Sequence, residues 1–194
     1  GLSPSSEGEL RKGTMKFIET SLQGAFIVEL EERHDARGFF ARTFCAREFE
    51  EHGLKPAVAQ CNMAYNYKKG TLRGMHYQVA PATEAKLVRC TRGTVYDVIV
   101  DLRPNSPTYL QHIGVELSGD NHRALYVPEL FAHGYLTLFD DVEMFYQVSE
   151  FYTPGTEQGL RYDDPALKIE LPIDVEIISE KDAAWALLGE GVTP

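Results

Sequence analysis

The chain has 194 residues, enough for about one domain whose core needs no disulfide or metal staple. Apolar residues make up 43% and charged residues 25%, the balance of an ordinary globular protein, and no apolar run is long enough to span a bilayer. A net charge of −10 argues against a nucleic-acid partner, and three cysteines without a CxxC pair point to a reducing cytoplasm.

Residues 1–14, "GLSPSSEGELRKGT", are polar and rich in Gly, Ser and Pro; they read as a flexible leader or an expression remnant, with one domain over 15–194. "FIVEL" is the first clear strand, and "HDARG" reads as a turn leading into two core phenylalanines, Phe39 and Phe40. "AREFEEHG" is a short helix stopped by Gly53, and in "QCN" the side chains of Gln60 and Asn62 share a polar strand face. Strands follow in "KLVRCTRG", "TVYDVIVDL", "HIGVEL", "RALYVPEL" and "VEMFYQVSEFY", separated by the turns "RPNSP", "SGDN" and "FDD". In "TVYDVIVDL" the alternation of Asp97, Ile99 and Asp101 with Tyr96, Val98, Val100 and Leu102 predicts one wetter face. "SEKDAAWALL" reads as a C-terminal helix with Ser179 as its N-cap. Many short strands, frequent turns and little helix predict an all-β barrel or jelly roll.

Ionisable residues projecting from such strands into a barrel interior are the candidates for chemistry. From Lys68 to Arg103 seven basic residues meet three acidic ones, a segment of +4 in a chain whose remainder carries −14. A local basic zone fits a small anionic ligand better than a long polyanion, although charge balancing between neighbouring strands explains it equally well. "TLRGMHYQ" places His76 three residues after Arg73, which strict alternation would put on opposite faces. Gly74 between them permits a bulge that re-aims one of the two. Taken singly, His76 and His133 read as hydrogen-bonded rim or turn residues, Tyr146 as core, and Asp182 as the far end of a capping box with Ser179. No HxH, HExxH or Cys/His cluster is present, so a metal site is not expected.

Taken together and in order, "DARGFFARTF", "QCN", "GTLRGMHYQ", "KLVRCTRGTVYDVIVDLRPNSPTY", "ELSGDNHRALYVPELFAHGY", "FYQVSEFYTP", "YDDPALKIELP" and "ISEKD" resemble the dTDP-4-dehydrorhamnose 3,5-epimerase family, from about Phe17 to Leu188. The resemblance implies a cupin-type double-stranded β-helix jelly roll with a few short helices, without metal or redox cofactor. It implies a homodimer with an exchanged N-terminal strand, and a nucleotide-diphosphate sugar bearing a 4-keto group as substrate. The histidine of "RGxHxQ" falls on His76 as proton acceptor, the aspartate of "SxKD" on Asp182 as its support, and the first tyrosine of "YxxxxxY" on Tyr146 as proton donor. The second tyrosine, Tyr152, would stack on the nucleobase, and Arg37, Gln60, Asn62, Arg73, Lys86, His133, Glu157 and Lys181 fall on ligand-binding positions. Lys86 would place positive charge near the C4 oxygen, and Arg37 and Arg73 would hold the diphosphate.

Three places depart from the family pattern. Arg42 stands where an acidic residue is common after "RGFF", Leu130 replaces the glycine of "PEGFAHG", and Met63 and Ala64 replace "HNS"-like residues. Two other readings stay open on sequence alone: a metal-dependent cupin enzyme and a non-catalytic sugar-nucleotide binding protein.

Overall fold

A computed structural model describes residues 15–190; the leader expected over 1–14 lies outside the described residues. The strands are Met15–Glu19 (β1), Phe26–Leu30 (β2), Arg33–Asp35 (β3), Gly38–Phe40 (β4), Gln60–Asn66 (β5), Leu72–Gln78 (β6), Lys86–Arg92 (β7), Thr94–Asp101 (β8), His112–Ser118 (β9), Ala124–Val127 (β10), Phe131–Thr137 (β11), Val142–Val148 (β12) and Glu157–Gly159 (β13). Two short helices, Ala46–Glu51 (α1) and Glu180–Ala183 (α2), complete the secondary structure. Six strands form one antiparallel sheet in the order β1-β2-β10-β7-β12-β5, and five form a second in the order β13-β6-β11-β8-β9. The sheets are stitched by crossings between strands distant in sequence, the jelly-roll arrangement expected for this pattern of strands.

Inward-facing residues of both sheets make the central core: Val88, Cys90, Leu125 and Met144 from the first meet Val95, Ile99, Leu117 and Phe131 from the second. A second cluster lies on the outer face of the six-stranded sheet, where α1 lays Phe49 against Phe17, Phe44 and Tyr126. Gly53, at φ +71°, ends that helix in the left-handed conformation that a glycine adopts without penalty. A third cluster covers the outer face of the five-stranded sheet, with Met75, Val98 and Val100 under Leu160 and Leu167 of the C-terminal segment. No helix among the described residues is long and apolar enough to cross a membrane.

Two expectations are corrected here. The Asp97–Asp101 face of β8 is not wet: both carboxylates are 0% exposed. β8 lies between β11 and β9, with one face toward the opposing sheet and the other under the C-terminal segment, so each acid survives burial only through a partner. Asp101 takes hydrogen bonds from Arg103, Ser106 and Thr108, and Asp97 pairs with His133. Phe39 and Phe40 are not core residues either. They sit on the β3–β4 hairpin, which pairs with neither large sheet, and Phe40 is 67% exposed.

Candidate active site

The site begins with a defect in β6. His76 lies opposite His133 and Arg73 opposite Tyr135, so three steps along β6 match two along β11, and one extra residue is accommodated between them. Gly74 makes this possible: its φ is +118°, and a Cβ there would stand 2.6 Å from the His133 carbonyl oxygen and 2.7 Å from Gly134 Cα. The bulge puts Arg73 and His76 on the wall of one hollow of about 450 Å³, which unbroken alternation would forbid. Arg73 is aimed by Asn66, whose Oδ1 accepts from Nε at 2.7 Å and which is itself held by the buried Tyr135 hydroxyl.

Asp182 reaches His76 because the chain before it docks on the start of β6. Glu176 and Ile177 donate to the Gly70 carbonyl, and Leu72 donates to that of Ile177. Ser179 then caps α2, its Oγ accepting from the Asp182 amide at 3.1 Å. The capping-box reading is only half right, since the Asp182 carboxylate does not turn back to the cap. Oδ1 lies 2.5 Å from His76 Nε2, and Oδ2 accepts from the Gly74 amide at 3.0 Å. The helix is also shorter than "SEKDAAWALL" suggests, ending at Ala183. Burial raises the Asp182 carboxyl, but hydrogen bonds from His76, Gly74 and Trp185 outweigh it, and the net shift is downward. An ionised carboxylate only accepts, so Nε2 carries the hydrogen of a neutral His76 and Nδ1 keeps the free lone pair.

His76 also lines a cavity of about 230 Å³ between the sheets, together with Gln60, Asn62, Lys86, Tyr146, Tyr152 and Glu157. β6 and β12 belong to different sheets, so His76 and Tyr146 enter this cavity from opposing walls. Burial, then the negative charge of Glu84, pushes the Tyr146 phenol above its ordinary range, which keeps the hydroxyl protonated. The Lys86 ammonium is nearly buried and lies 3.3 Å from Glu84, whose other oxygen accepts from Gln78 at a further 3.3 Å. Gln60 accepts from the Tyr152 amide at 2.7 Å, and Lys181 bridges to Glu157 at 2.7 Å across the rim.

Two of the candidate residues lie elsewhere. Arg37 is on the β3–β4 hairpin, paired with Asp35 at 2.6 Å, and lines neither hollow. His133 is buried behind His76 and pairs through Nε2 with Asp97 at 2.9 Å. Asp97, Gln78 and Glu84 escape the sequence reading. An acid set in the apolar run "VYDVIV" is a usable signal for Asp97, and Gln78 and Glu84 each lie two residues from a site residue on a strand or its approach. Burial drives the Asp97 carboxyl upward despite His133 and Lys86, and its Oδ1 has no hydrogen-bond partner. Among the described residues no group of three His, Cys, Asp or Glu side chains is arranged to hold a metal ion.

The chain is similar throughout to proteins of one kind. The family model of dTDP-4-dehydrorhamnose 3,5-epimerase matches residues 19–190. The dTDP-4-dehydrorhamnose 3,5-epimerase of Methanothermobacter thermautotrophicus is 44% identical over 90% of this chain and 95% of its own length. The crystal structure of the Elizabethkingia anophelis enzyme of that name superposes with a TM-score of 0.88 at 36% identity, covering 91% of this chain and 97% of the other. The Legionella pneumophila dTDP-6-deoxy-D-glucose-3,5-epimerase, solved in complex with dTDP-4-keto-L-rhamnose, gives 0.85 at 39% identity, covering 92% and 95%. With the jelly roll, the bulged histidine strand and the paired aspartate all in place, the chain belongs to the dTDP-4-dehydrorhamnose 3,5-epimerase family.

Proposed function

We propose that the protein epimerises a nucleotide-linked 4-keto-6-deoxyhexose, of the dTDP-4-keto-6-deoxyglucose type, at C3, C5 or both. The observation that carries this reading is the placement of a supported base and a protonated phenol on opposing walls of one cavity. Inversion at carbon requires a proton to leave one face and another to arrive at the opposite face, and His76 and Tyr146 fit those two tasks.

A C–H bond beside a ketone ionises only when the developing enolate oxygen is stabilised as the proton leaves. Lys86 supplies the positive charge, and its burial makes that charge count for more than it would in water. His76 takes the proton on Nδ1, and Asp182 holds the ring in the required tautomer and stabilises the imidazolium that results. Tyr146 then delivers its hydroxyl proton to the other face, and burial favours the neutral phenol before that step. Arg73, held by Asn66, is oriented to take a phosphate oxygen. Gln60, Asn62, Tyr152, Glu157 and Lys181 surround the sugar and nucleoside.

The working unit is a homodimer in this reading; the first described strand, β1, pairs with β2 of its own chain, and the N-terminal segment offered to the partner is the β3–β4 hairpin. An unpaired hairpin carrying exposed Phe39 and Phe40 supports it, because large apolar side chains so exposed call for a covering surface. Arg37, remote from the cavity of its own chain, then reaches the partner's nucleotide. Three free cysteines among the described residues suit the reducing cytoplasm.

Proton–deuterium exchange followed by NMR in heavy water, with dTDP- and CDP-linked 4-keto-6-deoxyglucose, tests the reading. Deuterium entering C3, C5 or both is the expected result and identifies the inverted centres and the preferred nucleotide. A folded protein that binds either compound and exchanges neither position would defeat it.

A further inference from the structure

The sole tryptophan of the chain stands beside the His76–Asp182 pair. Trp185 Nε1–H donates to Asp182 Oδ1 at 3.3 Å, the same oxygen that His76 Nε2 meets at 2.5 Å. The indole also lies edge-to-face with the His76 ring, centroids 6.3 Å apart at 71°, and the Lys181 ammonium stands 5.7 Å from the indole centroid. Its seat is cut to fit. Gly159 on β13 is the strand partner of His76, and a Cβ there would lie 2.0 Å from Trp185 Cε2. The strand flanking the histidine therefore carries no side chain at the one point where the indole rests.

We propose that Trp185 is a positioning residue for the reaction, holding Asp182 in register with His76. This rests on the reading of His76 as the base. A second donor on Asp182 Oδ1 draws off part of the carboxylate's charge and fixes the oxygen that orients the imidazole. The indole meets the pair at the end of α2, with its N–H edge on the carboxylate and its ring T-shaped to the imidazole. Other charged groups surround the pair: Arg73 on the same strand, Glu157 on β13, Lys181 on α2, and Glu84 and Lys86 across the cavity. Tyr146 completes the cavity side, and His133 with Asp97 lies behind. Of these only Lys181 touches the indole, and W185F leaves it an aromatic face.

Two linked measurements test the proposal. W185F keeps an aromatic ring and loses the N–H. Its exchange rate falls about 3- to 10-fold at saturating substrate, the scale of one lost hydrogen bond, with KM little changed. With one donor fewer on the carboxylate, Asp182 holds the imidazolium more firmly, and the acid limb of kcat/KM moves to higher pH by about half a unit. G159A, which keeps the tryptophan but fills its seat, gives the same kinetic loss. The second measurement needs no substrate. Trp185 emission in the wild-type protein changes with pH as the neighbouring imidazole protonates, and the step disappears in H76N. An emission titration that is flat, or that persists unchanged in H76N, overturns the proposal, as does a W185F protein matching wild type in rate and pH profile. An inactive wild type that still shows the His76-dependent step would instead tell against the epimerase reading and leave the contact standing.

Discussion

Replacing Asp182 by asparagine isolates the support proposed for His76 as base while keeping size and cap intact. In the native site Oδ2 accepts from the Gly74 amide at 3.0 Å and Oδ1 meets His76 Nε2 at 2.5 Å. The carboxamide of the D182N variant has one oxygen for these two duties. If that oxygen serves Gly74, the amide nitrogen faces Nε2 and forces it to accept, which transfers the ring hydrogen to Nδ1, the nitrogen assigned as base. A hydrogen bond to a charged group contributes about 1.5–3 kcal/mol, so its loss alone predicts a fall of roughly 10- to 150-fold in kcat. The reversed tautomer deepens that loss, to about 10⁴-fold in the worked example of an aspartate-supported histidine in serine proteases. The assay is the rate of deuterium wash-in under saturating 4-keto sugar nucleotide, with binding affinity and circular dichroism measured in parallel. D182N that is folded, binds substrate and exchanges within about threefold of wild type would refute the assignment of Asp182 as the support of His76.

Three further outcomes follow from the same geometry. Y146F removes the proposed donor but not the proposed base, so deuterium still enters the substrate with retained configuration while inverted product falls about 10²-fold or more, as chromatography of the two epimers would show. G74A forces a Cβ against the His133 carbonyl at a left-handed φ. Urea unfolding is expected to reveal a loss of about 2–5 kcal/mol together with loss of activity, because Arg73 and His76 no longer share a wall. For Asp101, burial raises the carboxyl, but hydrogen bonds from Arg103, Ser106 and Thr108 outweigh it and hold it down at about 2, below the ordinary 3.8. A depressed pKa contributes stability that is full above pH 4 and lost as pH falls toward 2. Wild type should therefore lose about 2 kcal/mol across that window by denaturant titration, whereas D101N, already destabilised at neutral pH, should lose less there.

The strands were legible because period-two alternation and turn chemistry are local signals, and they suffice for an all-β jelly roll. The site was less so, because its parts meet through non-local pairing. His76 and Asp182 are separated by 106 residues, and each taken alone has an ordinary explanation, as a rim histidine and as a cap. Only the family resemblance joined them in the sequence. Gly74 was the one local clue to the bulge, since alternation places Arg73 and His76 on opposite faces and an inserted residue reverses that outcome. For Asp97, an alternating acid on a strand usually faces water, and periodicity does not reveal that both faces of β8 are covered. Phe39 and Phe40 depart from expectation in the opposite direction. Their apolarity suits a core, yet the hairpin that carries them pairs with neither large sheet. Trp185 fitted a helix pattern, but its indole leaves that pattern to reach Asp182 and the seat offered by Gly159.

The central claim is that His76, supported by Asp182, removes the proton next to the ketone. Deuterium wash-in from heavy water by H76N, at saturating 4-keto sugar nucleotide, tests it most directly. The account predicts a rate lower by about 10²- to 10⁴-fold, the usual contribution of a positioned general base, with substrate binding retained. A folded H76N protein that binds substrate and exchanges its C3 and C5 protons at a rate near wild type would contradict it.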